Sequence, residues 1–361
     1  MNVVIVFPSV FAEAQALAKV IKKRYRGISD ITVDGDCIVC ETKDAPDLAS
    51  KLGKMFGVES VAIAYKVSIN FSELSTSIVE AGSRIIAPGD RFYVKVLVQT
   101  LARLSYTSRD VEFACTGLLA SKLLSIDALP AKSEAEASRL ILAVVGKKAG
   151  YISINLVKGP GGLVTGYQGL VVGSIHSSLS LISCMMAAKV GFDCADIILP
   201  YASDIDLEMN AKLAALFATR TGRKRQTIFA IPIKVPTKGG QMMLLKEKII
   251  SHILIQCREK VINLPLSTAV HPLWFVESII HDAVYAGKIP LTPMIALSSE
   301  LGNYAKDIRI DLSIRLQNIP RDELENYNSS ITFEARSAMK YMKKLDLKVG
   351  PNYVHDIIDS I

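Results

Sequence analysis

Apolar and polar positions recur along this chain with two periods, and the places where the period changes mark its elements. Residues 3–7 form a short apolar run that predicts a strand, and residues 12–24 set Leu17, Val20 and Ile21 at helical spacing. Residues 31–41 alternate about Asp34-Gly35, a dipeptide that favours a two-residue hairpin turn, which predicts two antiparallel strands. A second amphipathic helix over 47–56 and a closing strand over 58–67 complete an α+β sandwich, with helices on one face of an antiparallel sheet.

Residues 68–167 read as a further α/β unit. A helix is expected over 71–81, and the turn Pro88-Gly89-Asp90 leads into a strand over 91–98. Alternation there sets Phe92, Val94 and Val96 on one face and Arg91, Tyr93 and Lys95 on the other. Ser108 with Glu112 close behind predicts a helix N-cap, and helical spacing continues to Leu124. A helix over 134–143 and strands near Val144 and over 151–157 follow. From 168 onward, strands (170–172, 195–200, 227–231, 261–264 and a short piece at Met294-Ile295) alternate with helices (179–190, 208–219 and 243–259). That alternation predicts a doubly wound parallel sheet, whose ligands bind at the carboxyl ends of its strands. The stretch 326–361 carries two short helical patterns.

Composition narrows the class without changing these elements. With 361 residues, 50% hydrophobic and 21% charged, the chain is globular rather than disordered and long enough for two or three cores. Its first residues, MNVVIVFPSVFAEAQ, lack the basic region, apolar core and cleavage site of a signal peptide. No apolar run reaches the roughly 18 residues that span a bilayer. A cytoplasmic protein without a membrane partner is therefore expected. The six cysteines are too sparse for a disulfide scaffold. Cys37 and Cys40 are spaced as CxxC but fall on an expected strand, where residues three apart point to opposite faces, so a core role is expected rather than a shared metal. The net charge of +7 suits a polyanionic partner, yet no segment carries the excess, and a nucleic-acid footprint must come from local patches. The densest is Arg220, Arg223, Lys224 and Arg225; another is Lys19, Lys22, Lys23, Arg24 and Arg26 on the first helix.

Candidate chemistry gathers in two small-residue loops. Lys158-Gly159-Pro160-Gly161-Gly162-Leu163 precedes the 170–172 strand, and Gly173-Ser174-Ile175-His176-Ser177-Ser178 follows it, ahead of an apolar helix. Strand, small-residue loop and helix N-terminus together make an anion site, because backbone N–H groups converge there and the helix dipole favours negative charge. His176 stands among Ser174, Ser177 and Ser178 with no evident third group to orient a Ser–His pair, and reads as a loop histidine without chemistry. His252, His271 and His281 lack metal-ligand spacing, and Trp274 reads as core or interface. No residue is assigned a catalytic or metal-binding role.

The order of these parts, with four local motifs, resembles the tRNA 4-thiouridine synthase family, the tRNA sulfurtransferases that also supply sulfur for thiamine. The motifs are Lys54-Met55-Phe56-Gly57-Val58-Glu59-Ser60-Val61, Tyr106-Thr107-Ser108, the Lys158–Leu163 loop with Gly166 and Gly169, and Ile289-Pro290-Leu291-Thr292-Pro293-Met294-Ile295. The resemblance implies an N-terminal ferredoxin-like α+β module (1–67), a THUMP α/β domain (68–167) and a doubly wound, Rossmann-like PP-loop domain with a helical tail (168–361). It also implies that the first two modules bind the acceptor end of tRNA. The third would adenylate a uridine and receive sulfur from a cysteine persulfide.

The chain departs from the family's Ser-Gly-Gly-x-Asp-Ser loop: Ile175 stands at a glycine, Ser177 at the aspartate, and Ser178 matches directly. In the later ATP-site segment, matched to 264–270, only Ser267 survives, and no cysteine stands in 240–246, matched to the reactive position; Cys257 falls later. The resemblance thus implies a tRNA-binding protein with a decayed catalytic domain. No cofactor is expected, or ATP and Mg if the remnant loop (Gly173, Ser174, Ser177, Ser178 and Ser267) still binds. The alternative is an active ATP-dependent sulfurtransferase that thiolates uridine through a divergent site. Arg103, Arg109, Lys147, Lys148, Lys158, Arg223, Lys224 and Arg225 are the expected RNA contacts, through phosphate neutralisation. A tRNA-modification enzyme, a sulfur carrier and a second copy of the chain are further candidate partners.

Overall fold

The computed structural model describes residues 2–25, 27–99, 102, 104–223, 225–235, 242–296, 302–303, 305–306, 324, 326–348, 354 and 358. The chain divides into two compact units, Met1–Val164 and Thr165–Ile361. The first runs β1 (Asn2–Pro8), α1 (Ala14–Arg24), β2 (Ile28–Asp34), β3 (Cys37–Thr42), α2 (Ala45–Leu52), β4 (Val58–Val67), α3 (Phe71–Ile85), β5 (Arg91–Val98), α4 (Ser108–Lys122), β6 (Leu129–Pro130), β7 (Arg139–Val145) and β8 (Gly150–Lys158). Its strands form one sheet in the order β2-β3-β1-β4-β8-β7-β5-β6, whose first four strands have the ferredoxin-like arrangement. The expected hairpin is present, with Asp34 opposite Cys37 and Gly35 at φ +63°. β4 pairs antiparallel with β1 on one side and β8 on the other, so the sheet continues from residues 1–67 into 68–167.

All four helices cover the same face of this sheet. Along β4, Val61 and Ile63 meet α1 and α2, which bury Leu17, Ile21, Leu48 and Leu52. Further along, Tyr65 and Val67 meet the cluster in which α3 and α4 bury Leu74, Ile78, Val111 and Leu119 against Phe92 and Val94. Among the described residues the other face has no helix. There Val3, Ile5, Cys37, Val39, Leu142, Val144 and Tyr151 pack on one another, because the sheet curls until its two turns meet. At that meeting both Asp34 carboxylate oxygens accept from the Lys147 backbone N–H at 3.1 Å. Cys37 and Cys40 lie buried on opposite faces of β3, one in each of the clusters that flank it. The Lys158–Leu163 loop is pinned to the start of β4: Gly161 N donates to Val58 O at 2.8 Å, and Gly57 N to Gly161 O at 2.9 Å.

Two local expectations are corrected here. Residues 134–143 do not form a helix. A 3-10 turn at Glu134–Glu136 leads to β7, which pairs parallel to β5 and antiparallel to β8. Its residues 141–145 are all buried, and a strand buried on both faces has an unbroken apolar run that periodicity does not separate from a buried helix. The α4 cap is Thr107 rather than Ser108, in a reciprocal box with Asp110, whose carboxylate accepts from Thr107 N at 2.7 Å. Glu112 instead accepts from Val96 N at 2.8 Å.

The second unit runs β9 (Gly169–Ser174), α5 (Ser178–Lys189), β10 (Phe192–Tyr201), α6 (Asp204–Arg220), β11 (Arg225–Pro232), α7 (Met242–Gln256), β12 (Val261–Asn263), α8 (Leu273–Tyr285), β13 (Ile289–Leu291), α9 (Asn328–Lys340) and β14 (Lys343–Lys348). The sheet order is β13-β12-β9-β10-β11-β14, parallel throughout except for β14, which makes it doubly wound and Rossmann-like. Three expectations change. The strand expected at Met294-Ile295 lies at β13, where β12 offers a parallel neighbour. α8 is an additional helix without a start signal, because its N-cap is Pro272 and no polar side chain caps it. In the tail, among the described residues, α9 is followed by a strand, since Leu345 and Leu347 alternate with polar neighbours and pair along β11, and Val354 and Ile358 are helical. Among the described residues no helix is long and apolar enough to cross a membrane.

Candidate functional site at the switch point of the second sheet

β9 lies in the middle of its sheet. The chain leaves it for β10 and β11 on one side and returns to β12 and β13 on the other, so the crevice beyond the carboxyl ends of β9 and β12 is where such sheets bind ligands. Gly173 and Ser174 end β9, Ser177 caps α5, Ser178 opens it, and Ser267 follows β12. The five residues read as remnants of a nucleotide site therefore do lie at one end of the sheet.

Their individual surroundings are not those of a phosphate cradle. Gly173 is needed for packing, since a Cβ there would lie 2.8 Å from Cys184 Sγ on α5. Ile175 is fully buried, and its N–H donates to Ile198 O at 2.9 Å. Ser180, one turn into α5, accepts from His176 N and Ser177 N, each at 2.9 Å, while Ser177 Oγ accepts from Ser180 N at 3.1 Å. In an anion site such N–H groups point at the ligand. Here a serine hydroxyl occupies them.

His176 has the third group that the sequence did not reveal. Its Nε2 donates to Glu247 Oε1 on α7 at 2.8 Å, and the two side chains are 2% and 5% exposed. A carboxylate only accepts, so Nε2 carries the proton. Burial pushes the Glu247 carboxyl up, but His176, His271 and Lys246 together more than offset this and hold it below the usual range. His271 is fully buried; its Nδ1 accepts from Ser267 N at 3.2 Å, and burial lowers its pKa against the opposing pull of Glu247. Ser174 Oγ, His176 Nδ1, Glu247 Oε2 and His271 Nε2 are all buried without a hydrogen-bond partner among the described residues. The arrangement is a buried carboxylate–imidazole pair beside a second imidazole, able to hold or pass a proton. Among the described residues no group of three or more His, Cys, Asp or Glu is placed to hold a metal ion. Glu247 had one signal in the sequence: Lys246-Glu247-Lys248 interrupts an otherwise largely apolar helix between Leu244-Leu245 and Ile249-Ile250, where a buried charge demands a partner.

The expected RNA contacts fall into separate places. In the first unit Arg109 is exposed at the start of α4, beyond the carboxyl end of β5, and Lys147 and Lys148 are exposed in the β7–β8 turn at that same end. Lys158 is exposed at the far end of β8, about 30 Å along the strand from that turn. In the second unit Arg225 is exposed, whereas the Arg223 side chain is 10% exposed, turned inward to Asp193 and over the Phe217 ring. Arg103 and Lys224 lie outside the described residues, as does Arg26 of the first-helix cluster. Trp274 packs on the α7–α8 core, edge-on to Phe275 at 5.9 Å.

No protein-family model matches the chain, and no curated protein sequence matches it. Solved structures do. A 4-thiouridine synthetase–RNA complex with bound ATP superposes with a TM-score of 0.69 over 96% of this chain and 100% of its own, at 13% identity. PH1313 from Pyrococcus horikoshii Ot3 gives 0.61 over 85% of this chain and 99% of its own, at 18% identity. The chain has the fold of that 4-thiouridine synthetase. Identity this low shows fold and no more, so the chemistry must be read from the residues present.

The thiols are the remaining test of that chemistry. Burial pushes Cys37, Cys40 and Cys257 up to about 12 and Cys115 to about 11. Cys194 is raised well above its usual value, first by contact with Cys184 and then by burial. A nucleophilic cysteine needs the opposite shift.

Proposed function

We propose that this chain binds tRNA and serves tRNA modification, as a relative of the 4-thiouridine synthases whose switch-point site no longer carries out ATP-dependent sulfur transfer. One observation carries the second half of this reading: Ser180 takes the loop N–H groups that would meet a phosphate, and the His176–Glu247 pair is buried against the same loop. The raised thiols support it, because persulfide chemistry runs through a thiolate. The likeness to an RNA-bound synthetase over nearly the full length supports the first half. Arg109, Lys147 and Lys148, at one end of the first sheet, are the phosphate contacts we assign there, with Lys158 as a separate contact. Arg223 is dropped as a contact because Asp193 holds it.

Two measurements on the full chain test this. Filter binding to tRNA across a salt series should give an affinity that falls steeply with salt; no affinity at low salt would remove the tRNA reading. Incubation with tRNA, ATP and sulfide, followed by nucleoside mass spectrometry, should leave uridine unmodified. Formation of 4-thiouridine would assign the active-sulfurtransferase reading instead.

A further inference from the structure

The tail elements α9 and β14 are used neither by the switch-point cluster nor by the contacts assigned above. Between residues 336 and 348 they carry Arg336, Lys340, Lys343, Lys344 and Lys348, all exposed, against one acidic residue, Asp346, which accepts from Thr227 Oγ1 at 2.8 Å. α9 turns Ile331, Ala335 and Ala338 into the core, so its outer side presents Phe333, Arg336, Lys340 and, at its end, Tyr341. The two aromatic side chains are 72% and 68% exposed. β14 then pairs with β11 in a register that sets Lys348 opposite Arg225, and Lys344 opposite Phe229. Beside Phe333 a cavity of about 330 Å³, lined by Lys234, Ser329, Ser330, Phe333 and Glu334, offers hydroxyl, ammonium and carboxylate groups around an aromatic edge.

Lysines on an edge strand also keep sheets from pairing edge to edge, but that role accounts for neither the exposed rings nor the cavity. Aromatic faces interleaved with cations are what unpaired nucleic acid needs, with bases stacked on rings and the backbone followed by Lys and Arg. We propose that α9 and β14 bind an unpaired stretch of RNA, with a base at Phe333 and its cavity and the phosphates along Lys340, Lys344, Lys348 and Arg225. This deepens the tRNA-binding reading and rests on it.

The test is fluorescence anisotropy of the full chain with a short labelled unpaired RNA, and with an RNA duplex of equal length, across a salt series. Phe333→Ala should weaken the unpaired RNA about ten-fold and leave the salt dependence unchanged. The triple variant K340Q/K344Q/K348Q should lower the slope of log affinity against log salt by about 2. If the wild type binds tRNA and both variants match it for the unpaired RNA, the tail proposal is overturned while the tRNA reading stands. It is likewise overturned if the triple variant self-associates with unchanged RNA affinity, because the lysines then serve only to guard the edge. Preference for the duplex, lost in either variant, overturns the single-strand assignment. A wild type that binds no RNA ends both readings.

Discussion

Two small-residue loops close together in the chain teach opposite lessons. In the Lys158–Leu163 loop the glycines are required by the backbone itself. A Cβ on Gly159 would lie 2.3 Å from the Val58 carbonyl oxygen, and Gly161 and Gly162 adopt φ of +63° and +80°. The sequence signature there is a joint between strands, and its glycines are explained without any ligand. The loop after β9 keeps the strand–loop–helix frame that elsewhere holds phosphate, yet its His176 and Ser177 N–H groups are turned on Ser180. A serine hydroxyl and a buried carboxylate–imidazole pair stand in for the ligand. A familiar frame is therefore no measure of a retained site; what decides is where each loop N–H finds its acceptor.

That contrast can be broken experimentally, starting with the largest effect. If the second loop is held by its internal pair, Glu247→Ala leaves a buried imidazole N–H without its acceptor and should destabilise the second unit by about 2–3 kcal/mol, read as a lower urea midpoint. A midpoint equal to wild type would show that the pair contributes nothing to the loop. If the first loop is a backbone joint, Gly159→Ala should cost about 2 kcal/mol, because the atom it meets is a main-chain oxygen that no side-chain rotation relieves. An unshifted unfolding curve would argue that the joint yields. The smallest effect is that of pH. Burial lowers the His271 pKa in the fold, so its contribution is full above the unfolded value of about 6.5 and is lost as pH falls below it. The Glu247 carboxyl is also held low, so its contribution is present above the unfolded value of about 4.3 and is lost as pH falls through the lower folded value. The urea midpoint should therefore drop between pH 7 and 5, and His271→Gln should flatten that drop by about 1 kcal/mol or less. His252, also lowered by burial, adds a slope of the same sign. A wild-type midpoint constant over that window would remove His271 from the account.

Much of the fold was legible because its elements obey simple periods. Asp34-Gly35 announces its hairpin, and the strands of the second unit are apolar runs separated by helical spacing. The failures share a physical cause. β7 is apolar along its whole buried length, so period carries no information there, α8 has no polar cap to announce its start, and β14 depends on an edge of β11 that local sequence does not show. The candidate site was half legible. Gly173, Ser174, Ser177 and Ser178 sit in one stretch, but Glu247, Ser267 and His271 arrive from distant elements through the sheet's topology, and no local pattern around His176 points to them. Likewise Arg223 and Arg225 look equivalent in the sequence; only the fold separates the one that Asp193 holds from the one that faces water.

The position of β4 between β1 and β8 has a consequence for synthesis. The first four strands are complete once β4 has emerged, but one edge of β4 waits for β8, roughly 80 residues downstream, or about 4–16 s at ordinary translation rates. During that interval the nascent chain shows an open strand edge, Val58–Val67, to the crowded space outside the ribosome. The partners met in that window, and any chaperone that covers the edge, act on the chain before Lys147, Lys148 and Lys158 have been made.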